Sequence, residues 1–292
     1  MRITNKYGLP ESIVRAVTFD SHRREGHISV TELIKPPQMR HLEIVYDTEI
    51  EEDASDRLWA LLGSAVHVVL ERASLENVLR EERLRMQVSG WTVTGQPDLW
   101  HEPHHLKDYK VTSVWSFLFG EKPEWEAQLN LYAVLYWEHG FPVEDARILA
   151  ILRDWHASRV NDTYPPIPFA EHRVRLWPRP EATATLLLLV GRHQKATEGI
   201  YDPCTQEERW ARPEAWAVKR VGQKRAKTVA PSPDEAERRK ELLAQDGKRY
   251  EIEHRPGRNV RCERYCRAAP FCEQWGQLKL GAPQPEEEEG ET

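Results

Sequence analysis

The chain has 292 residues, 40% of them hydrophobic and 30% charged, with a formal net charge of −6. No run approaches the ~20 apolar residues of a membrane-spanning helix, the first residues lack the apolar core of a signal peptide, and four cysteines without a secretion signal do not suggest a disulfide framework. These features argue against a membrane-spanning or disulfide-rich secreted protein. They predict a cytoplasmic globular protein with no membrane partner.

The N-terminal part is weakly specified and holds one short element at residues 28–34. From residue 53 to about residue 80, apolar residues recur at steps of three and four, which predicts an amphipathic helix with one apolar stripe. The stripe consists of Leu58, Leu62, Val66, Val69 and Ala73.

Strands and a second helix follow this first helix. Alternating residues around Ser89-Gly90 predict a hairpin, and a further strand follows a turn at residues 101–105. The predicted elements are, in chain order, strands at 84–88, 91–94 and about 106–111, a helix at 124–138 and a buried strand at 147–153. This order indicates a mixed sheet flanked by helices, hence an α/β or α+β fold.

The composition changes after Pro178. A long helix is predicted over residues 181–198, followed by proline-rich and charged connections and a short helix at 234–243. We expect an N-terminal segment (1–53), a core (54–196), a cysteine-bearing C-terminal lobe packed on the core (197–279) and a disordered acidic tail (280–292). The tail holds five glutamates; without them the chain has 42 acidic and 41 basic residues.

Three side chains suited to metal-assisted hydrolysis fall close together in the core. The strand period of two places Asp108 and Lys110 on one face, while Asp98 lies at the end of the preceding strand. Two carboxylates are hard ligands for Mg²⁺ or Mn²⁺, and a lysine beside them can deprotonate a water or stabilise charge on a phosphate. The alternative is an ordinary amphipathic strand with a surface ion pair.

His67 is a candidate metal ligand on the first predicted helix. It lies four residues after Gly63 and four before Glu71. One ring nitrogen can bind a metal while a carboxylate orients the other, although a lone helical histidine is usually structural or exposed. The histidines at 101, 104 and 105 accompany a proline in a turn, and we interpret them as solvated residues.

Taken together, these motifs resemble the RecB-like branch of the PD-(D/E)XK nucleases. The motifs are Gly63-x-x-x-His67-x-x-x-Glu71, Gly95-x-x-Asp98, Asp108-x-Lys110 and Gln128-x-x-x-Tyr132. The resemblance implies a restriction-endonuclease-like core, with Lys110 as the catalytic lysine. It implies that the catalytic metal is bound by His67, Asp98, Asp108 and the backbone carbonyl of Tyr109. It also implies that Gln128 and Tyr132 line the path of the DNA.

More narrowly, the chain is similar to phage-encoded and CRISPR-associated relatives in that branch that carry four cysteines. The segments that carry this similarity lie between about residues 28 and 273: ISVTELI, EWEAQLNLYAVL, AILRDW, PCTQEERW and RPGRNVRCERYCRAAPFC. The cysteines here are Cys204, Cys262, Cys266 and Cys272. The resemblance implies a [4Fe–4S] cluster that pins the C-terminal lobe to the core. From the residues alone, structural Zn²⁺ and ordinary buried cysteines remain open.

The sequence therefore predicts a hydrolase acting on ester bonds, namely a metal-dependent deoxyribonuclease, with exonuclease action favoured over endonuclease action. Its substrate and partner would be DNA, and it would work with other recombination or replication proteins, or in DNA repair. Two alternatives are a catalytically silent DNA-binding subunit and an interaction factor of a nuclease complex. The intact set of Asp98, Asp108 and Lys110 favours the enzyme.

Overall fold

The computed structural model describes residues 1–18, 26–72, 78–80, 82–119 and 123–280. The chain forms two compact units, one made of Met1–His41 and Glu51–Tyr201, the other of Leu42–Ile50 and Asp202–Thr292. Almost all of the predicted acidic tail, from residue 281 onward, lies outside the described residues. None of the helices in the described part of the chain is both long enough and apolar enough to cross a membrane.

The first unit contains the elements in which the sequence places the candidate site. Its helices are α1 (Glu11–Thr18), α2 (Val30–Leu33), α3 (Pro37–Val45, with residues 42–45 in the second unit), α4 (Leu58–Glu71), α5 (Val114–Phe119), α6 (Pro123–Glu138) and α7 (Arg179–Thr197). Its strands are β1 (Arg2–Thr4), β2 (His27–Ser29), β3 (Glu51–Asp53), β4 (Val78–Arg80), β5 (Leu84–Val88), β6 (Trp91–Gly95), β7 (Leu99–His101), β8 (His105–Thr112), β9 (Asp145–Leu152) and β10 (Phe169–Val174).

The main sheet has five strands in the order β10-β9-β8-β7-β4. The central strands β8 and β9 are parallel, with Asp108 opposite Ile148, and the other neighbouring pairs are antiparallel. A parallel pair needs a crossover connection, which here contains α5 and α6. The predicted mixed sheet flanked by helices is therefore confirmed.

The predicted hairpin is also confirmed. β5 and β6 pair antiparallel up to Val88 and Trp91, and the two turn residues, Ser89 and Gly90, have φ angles of 49° and 83°. Two consecutive positive φ angles are typical of the tight hairpin turn whose twist matches that of the strands. β2 adds to β6 in parallel and completes a second, three-stranded sheet.

Helix α6 lies at the centre of the core. Every residue from Gln128 to Tyr136 is buried, so this stretch of the helix has no exposed face. The reason is that α6 contacts β8, β9 and β10 as well as β5, α2 and α7, so both of its sides are covered. The strand predicted at 147–153 corresponds to β9, which begins two residues earlier and ends at Leu152; most of its residues are buried as expected, whereas Arg153 lies beyond the strand and is exposed.

Helix α4 departs from the prediction in its length and in its burial. It ends at Glu71 rather than near residue 80, because residues 78–80 pair with β7 as strand β4. No residue of α4 is buried, and Trp59 and Val69 are among its exposed side chains. Ala73, the last residue of the predicted apolar stripe, lies outside the described residues, and the rest of the stripe is only partly covered, since periodicity does not determine which neighbours a helix contacts.

The second unit carries the cysteines. Its elements are β11 (Ala211–Arg212), β12 (Ala215–Arg220), β13 (Ala226–Ala230), α8 (Pro233–Ala244), β14 (Tyr250–Arg255), β15 (Arg258–Asn259), α9 (Val260–Arg264) and α10 (Glu273–Leu280). Strand β12 is the centre of an antiparallel sheet ordered β13-β12-β14. Segment 42–50 belongs to this unit: the ring of Tyr46 stacks on Phe271 at 4.5 Å, and Glu43 lies 3.5 Å from Arg267.

Candidate active site

Strand β8 brings Asp108 and Lys110 together, as its period of two requires. Lys110 Nζ lies 2.6 Å from Asp108 Oδ2 and donates a hydrogen bond to Gln128 Oε1 at 3.0 Å. Asp108 is buried, and this burial raises the pKa of its carboxyl group, while the ammonium group of Lys110 opposes the rise. The site therefore contains a buried carboxylate whose charge is compensated by an adjacent cation.

Asp98 is positioned between β6 and β7 and joins this pair through the backbone. Its Oδ2 accepts a hydrogen bond of 2.6 Å from the backbone N–H of Tyr109, which lies between Asp108 and Lys110. Its Oδ1 lies 2.9 Å from His67 Nδ1. This hydrogen bond to Asp98 raises the pKa of His67, and the charge of Asp108 adds to the effect. Asp98 thus links helix α4 to strand β8.

Gln128 and Tyr132 lie behind Lys110 and Asp108, one helical turn apart on α6. They are only 6% and 4% exposed, and Gln128 Nε2 donates to the Tyr132 hydroxyl group at 3.1 Å. Burial, together with the charge of Asp108, raises the pKa of Tyr132, so its phenol remains protonated. Because both side chains are buried, they fit the positioning of Lys110 better than the direct DNA contact that the resemblance implies.

The two motif glycines have different surroundings. A Cβ added at Gly95 would lie 2.5 Å from Leu135 Cδ1 and 2.8 Å from Tyr132 Cδ1, so α6 can pack here only against a residue without a side chain. Among the residues that the structure describes, a Cβ added at Gly63 would meet nothing within 4 Å. The close packing of α6 beside the site therefore requires glycine at position 95, whereas the described surroundings of Gly63 leave room for a side chain.

All the residues assigned to the site from the sequence meet in one place, but their side chains are paired with one another. The pairs are His67 with Asp98 and Lys110 with Asp108. Within the described ranges, no three His, Cys, Asp or Glu side chains are arranged so that they could hold a metal ion. The donor types match a hard divalent cation, and Asp108 Oδ2 is a buried oxygen with no hydrogen bond apart from its ion pair with Lys110.

The histidines at 101, 104 and 105 lie apart from these contacts. His101 and His105 occupy paired positions on β7 and β8, with ring centroids 5.1 Å apart, and His104 Nδ1 lies 2.9 Å from Glu144 Oε1. Only His104 is in the turn itself, whereas all three were expected there. Burial lowers the pKa of His105. Glu71, the last residue of α4, is exposed.

The four cysteines all belong to the second unit, and none of them forms a disulfide bond in the described part of the chain. The side chain of Gln274 binds the backbone of Cys204 twice, accepting from its N–H at 3.0 Å and donating to its carbonyl oxygen at 2.9 Å. Because Gln274 follows Cys272 by two residues, this clamp joins Cys204 to the segment of the other cysteines.

The protonation of the thiols reflects burial and mutual proximity. Burial raises the pKa of Cys204 to about 12 and that of Cys266 to about 11, and negative charge on the other cysteines contributes to both shifts. Burial also raises the pKa of Cys262. Burial thus favours the thiol form of Cys204, Cys262 and Cys266, and within the described residues the cysteines do not form a closed set of metal ligands.

No protein-family model matches the chain, and neither does any curated protein. Among solved structures, the protein SSO0001 matches with 18% identity and a TM-score of 0.48, over 68% of this chain and 90% of that one. An alkaline exonuclease from Laribacter hongkongensis matches with 11% identity and a TM-score of 0.37, over 65% and 95%.

A phage-related exonuclease from Haemophilus somnus matches with 12% identity and a TM-score of 0.29, over 64% of this chain and 80% of that one. At such identities and TM-scores, these likenesses carry no conclusion about the activity of this chain. The activity proposed below therefore rests on the residues of the site.

Proposed function

We propose that the chain is a metal-dependent deoxyribonuclease of the PD-(D/E)XK class, with the first unit as its nuclease core. The observation that carries the proposal is the grouping of Asp98, Asp108 and Lys110 through the backbone of Tyr109. Two carboxylates and an amine converging on one point suit the hydrolysis of a phosphodiester bond. An ordinary surface ion pair would not require one carboxylate to be buried and a second one to be fixed beside it.

The proposed metal is Mg²⁺ or Mn²⁺, held by Asp98, Asp108, His67 and the carbonyl oxygen of Tyr109. When bound, such an ion lowers the pKa of a coordinated water and offsets charge on the phosphate. In the structure His67 Nδ1 contacts Asp98 and Lys110 Nζ contacts Asp108, so binding of a metal ion by these carboxylates would require both contacts to rearrange. The carboxylates of Asp98 and Asp108 would repel each other, and their contacts with His67 and Lys110 offset this repulsion.

Lys110 is the proposed catalytic lysine. Its ammonium group is held between Asp108 Oδ2 and Gln128 Oε1, so its position is defined from two sides. From there it can orient a water and stabilise negative charge that develops on the phosphate oxygens. Gln128 and Tyr132 are proposed as positioning residues that act through Lys110.

We also propose that the four cysteines bind a [4Fe–4S] cluster, with structural Zn²⁺ as the alternative. Support comes from the grouping of four thiols in one unit and from the clamp that Gln274 places on Cys204. A cluster binds thiolates, and burial raises the pKa of three of these thiols, so loading must release protons. The centre would close a loop of about sixty residues and so stabilise the second unit.

The expected process is DNA recombination, replication or repair, with exonucleolytic action favoured. The test is a time course on end-labelled linear DNA and on circular DNA, each with Mg²⁺, with Mn²⁺ and with EDTA. An exonuclease degrades only the linear substrate and needs the metal, whereas an endonuclease also cuts the circle. DNA binding without cleavage under every condition would reject the enzyme in favour of a silent DNA-binding subunit.

A further inference from the structure

Trp59, Trp115 and Phe119 are among the large aromatic side chains that are exposed in the described part of the first unit, outside the proposed catalytic set. Trp59 lies on the first turn of α4 and is 60% exposed, while Trp115 and Phe119 lie on α5 and are 47% and 77% exposed. The rings of Trp115 and Phe119 stack on each other, with centroids 5.6 Å apart and an angle of 9° between their planes. Exposed apolar groups of this size mark a binding surface when they are close together.

Two consecutive residues after β9 hold these rings near one end of the main sheet. The guanidinium carbon of Arg153 lies 4.2 Å from the centroid of the Trp59 ring. The carboxylate of Asp154 accepts a hydrogen bond of 2.7 Å from the backbone N–H of Val114, which fixes the start of α5 and thereby Trp115. The segment Arg153-Asp154 therefore contacts both the ring of Trp59 and the backbone of Val114, the residue that precedes Trp115.

This segment adjoins the strand that carries the proposed catalytic residues. The backbone N–H of Arg153 donates to the carbonyl oxygen of Thr112 at 3.0 Å. Thr112 follows Lys110 by two residues on β8, a rise of about 7 Å along the strand. The aromatic surface formed by Trp59, Trp115, Phe119 and Arg153 thus lies at the carboxyl end of β8, beyond Lys110.

The charge of this surface distinguishes among possible ligands. In the described part of the chain Arg153 forms no ion pair with a carboxylate, and the contact of its guanidinium group there is with the Trp59 ring. A purely apolar partner would need the rings and would gain nothing from this cation. A ligand with flat rings and negative charge uses both, and single-stranded nucleic acid has that chemistry.

We propose that this surface binds an unpaired strand of DNA, with bases stacking on Trp59 and Trp115 and a phosphate group near Arg153. The inference rests on the proposed nuclease function, for which it names the substrate class. Bases inside a duplex are stacked on each other and hide their faces. The surface therefore favours a single-stranded segment over blunt duplex DNA.

The test measures binding in EDTA, so that cleavage does not interfere. Fluorescence anisotropy would be recorded with a short single-stranded oligonucleotide, an abasic strand of equal length and a blunt duplex. Trp59→Ala and Trp115→Ala should each weaken binding of the single strand roughly tenfold. Trp59→Phe keeps a flat ring and should bind within about twofold of the wild type. Leu188→Ala removes an exposed apolar side chain from α7 and serves as the control.

The abasic strand identifies the interaction, because it keeps the phosphates and lacks the bases. Its binding should be unaffected by both alanine substitutions. The proposal would be overturned if the alanine variants lost as much affinity for the abasic strand or the duplex as for the single strand. It would also be overturned if they lost no affinity for the single strand. These outcomes are separate from the nuclease test: binding that depends on Trp59 without any cleavage would reject the enzyme and leave this surface standing.

Discussion

Asp98 and Tyr109 are joined by a hydrogen bond of 2.6 Å from the backbone N–H of Tyr109 to Asp98 Oδ2. Because Tyr109 lies between Asp108 and Lys110, this one bond places a carboxylate from the β6–β7 connection beside both strand residues. The other oxygen of Asp98 contacts His67 on α4. The site is thus assembled from three elements, with Asp98 as the common contact.

Replacing Asp108 by Asn should abolish cleavage while leaving the fold intact or more stable. Burial raises the pKa of Asp108, so the folded state disfavours its ionised form, and stability is lost as the pH rises through that pKa. We expect activity to fall by roughly 100-fold or more. In metal-free buffer, Tm should be unchanged or higher at pH 7, with a smaller difference at low pH. Asp162→Asn, at an exposed turn, is the control; unchanged cleavage by Asp108→Asn would reject the site.

The two motif glycines should respond oppositely to alanine. Gly95→Ala places a methyl group 2.5 Å from Leu135 and should destabilise the protein by roughly 1–3 kcal/mol through overpacking. Gly63→Ala meets no neighbour within 4 Å and should stabilise helix α4 by roughly 0.5–1 kcal/mol. Chemical denaturation measures both changes. Equal effects at the two positions would contradict the packing described around Gly95.

His193 should make stability depend on pH. It is fully buried on α7, its Nε2 bonds to the carbonyl oxygen of Leu33, and burial lowers its pKa to about 4. Between about pH 6.5 and pH 4 the unfolded chain binds a proton that the folded protein does not, so stability falls as the pH is lowered, by up to roughly 3 kcal/mol.

Denaturation of His193→Gln at pH 7 and pH 5 tests this expectation, because the variant has no titrating group at that position. Its loss of stability between the two pH values should be smaller than that of the wild type. His172→Gln, on an exposed part of β10, should keep the full loss. An identical pH dependence in His193→Gln and the wild type would show that His193 does not contribute.

The cysteines should act together. Cys204→Ser and Cys266→Ser should each reduce soluble yield and stability, because removing one ligand weakens a centre that closes the second unit. Protein purified anaerobically should be brown and contain roughly four iron and four sulfide per chain. Colourless protein that contains one zinc ion per chain would show that the cysteines bind structural Zn²⁺ instead of a cluster. If both variants were fully stable and the purified protein contained no metal, neither the cluster nor the zinc site would be supported.

Part of the site could be predicted because its information is local. Alternation along β8 places Asp108 and Lys110 on one face, and the turn residues at 89 and 90 define the hairpin that leads to Asp98. The spacing of Gln128 and Tyr132 places them on one helical face. Residues two apart on a strand, or four apart on a helix, share one face, so these pairings can be predicted from the sequence alone.

The remaining features depend on contacts between distant residues. The apolar pattern of α4 does not reveal that Trp59 stays exposed against Arg153, which is ninety-four positions away. The sequence of α6 likewise does not show that other elements cover both of its sides. As a result, Gln128, which the sequence places in the path of the DNA, is buried and accepts a hydrogen bond from Lys110. Segment 42–50 also carries no local signal for its place in the second unit.

A comparison of Lys110 with Lys107 tests whether Lys110 acts in the chemical step of cleavage. Both lysines lie on β8, but the strand period sends Lys107 to the opposite face. Single-turnover cleavage and DNA affinity would be measured for Lys110→Ala and Lys107→Ala with saturating Mg²⁺. We expect Lys110→Ala to lower the cleavage rate by roughly 100-fold or more and to leave DNA affinity within about twofold, whereas Lys107→Ala should change either quantity little. An equal loss of rate and affinity in Lys110→Ala, or equal rate losses in both variants, would contradict this expectation.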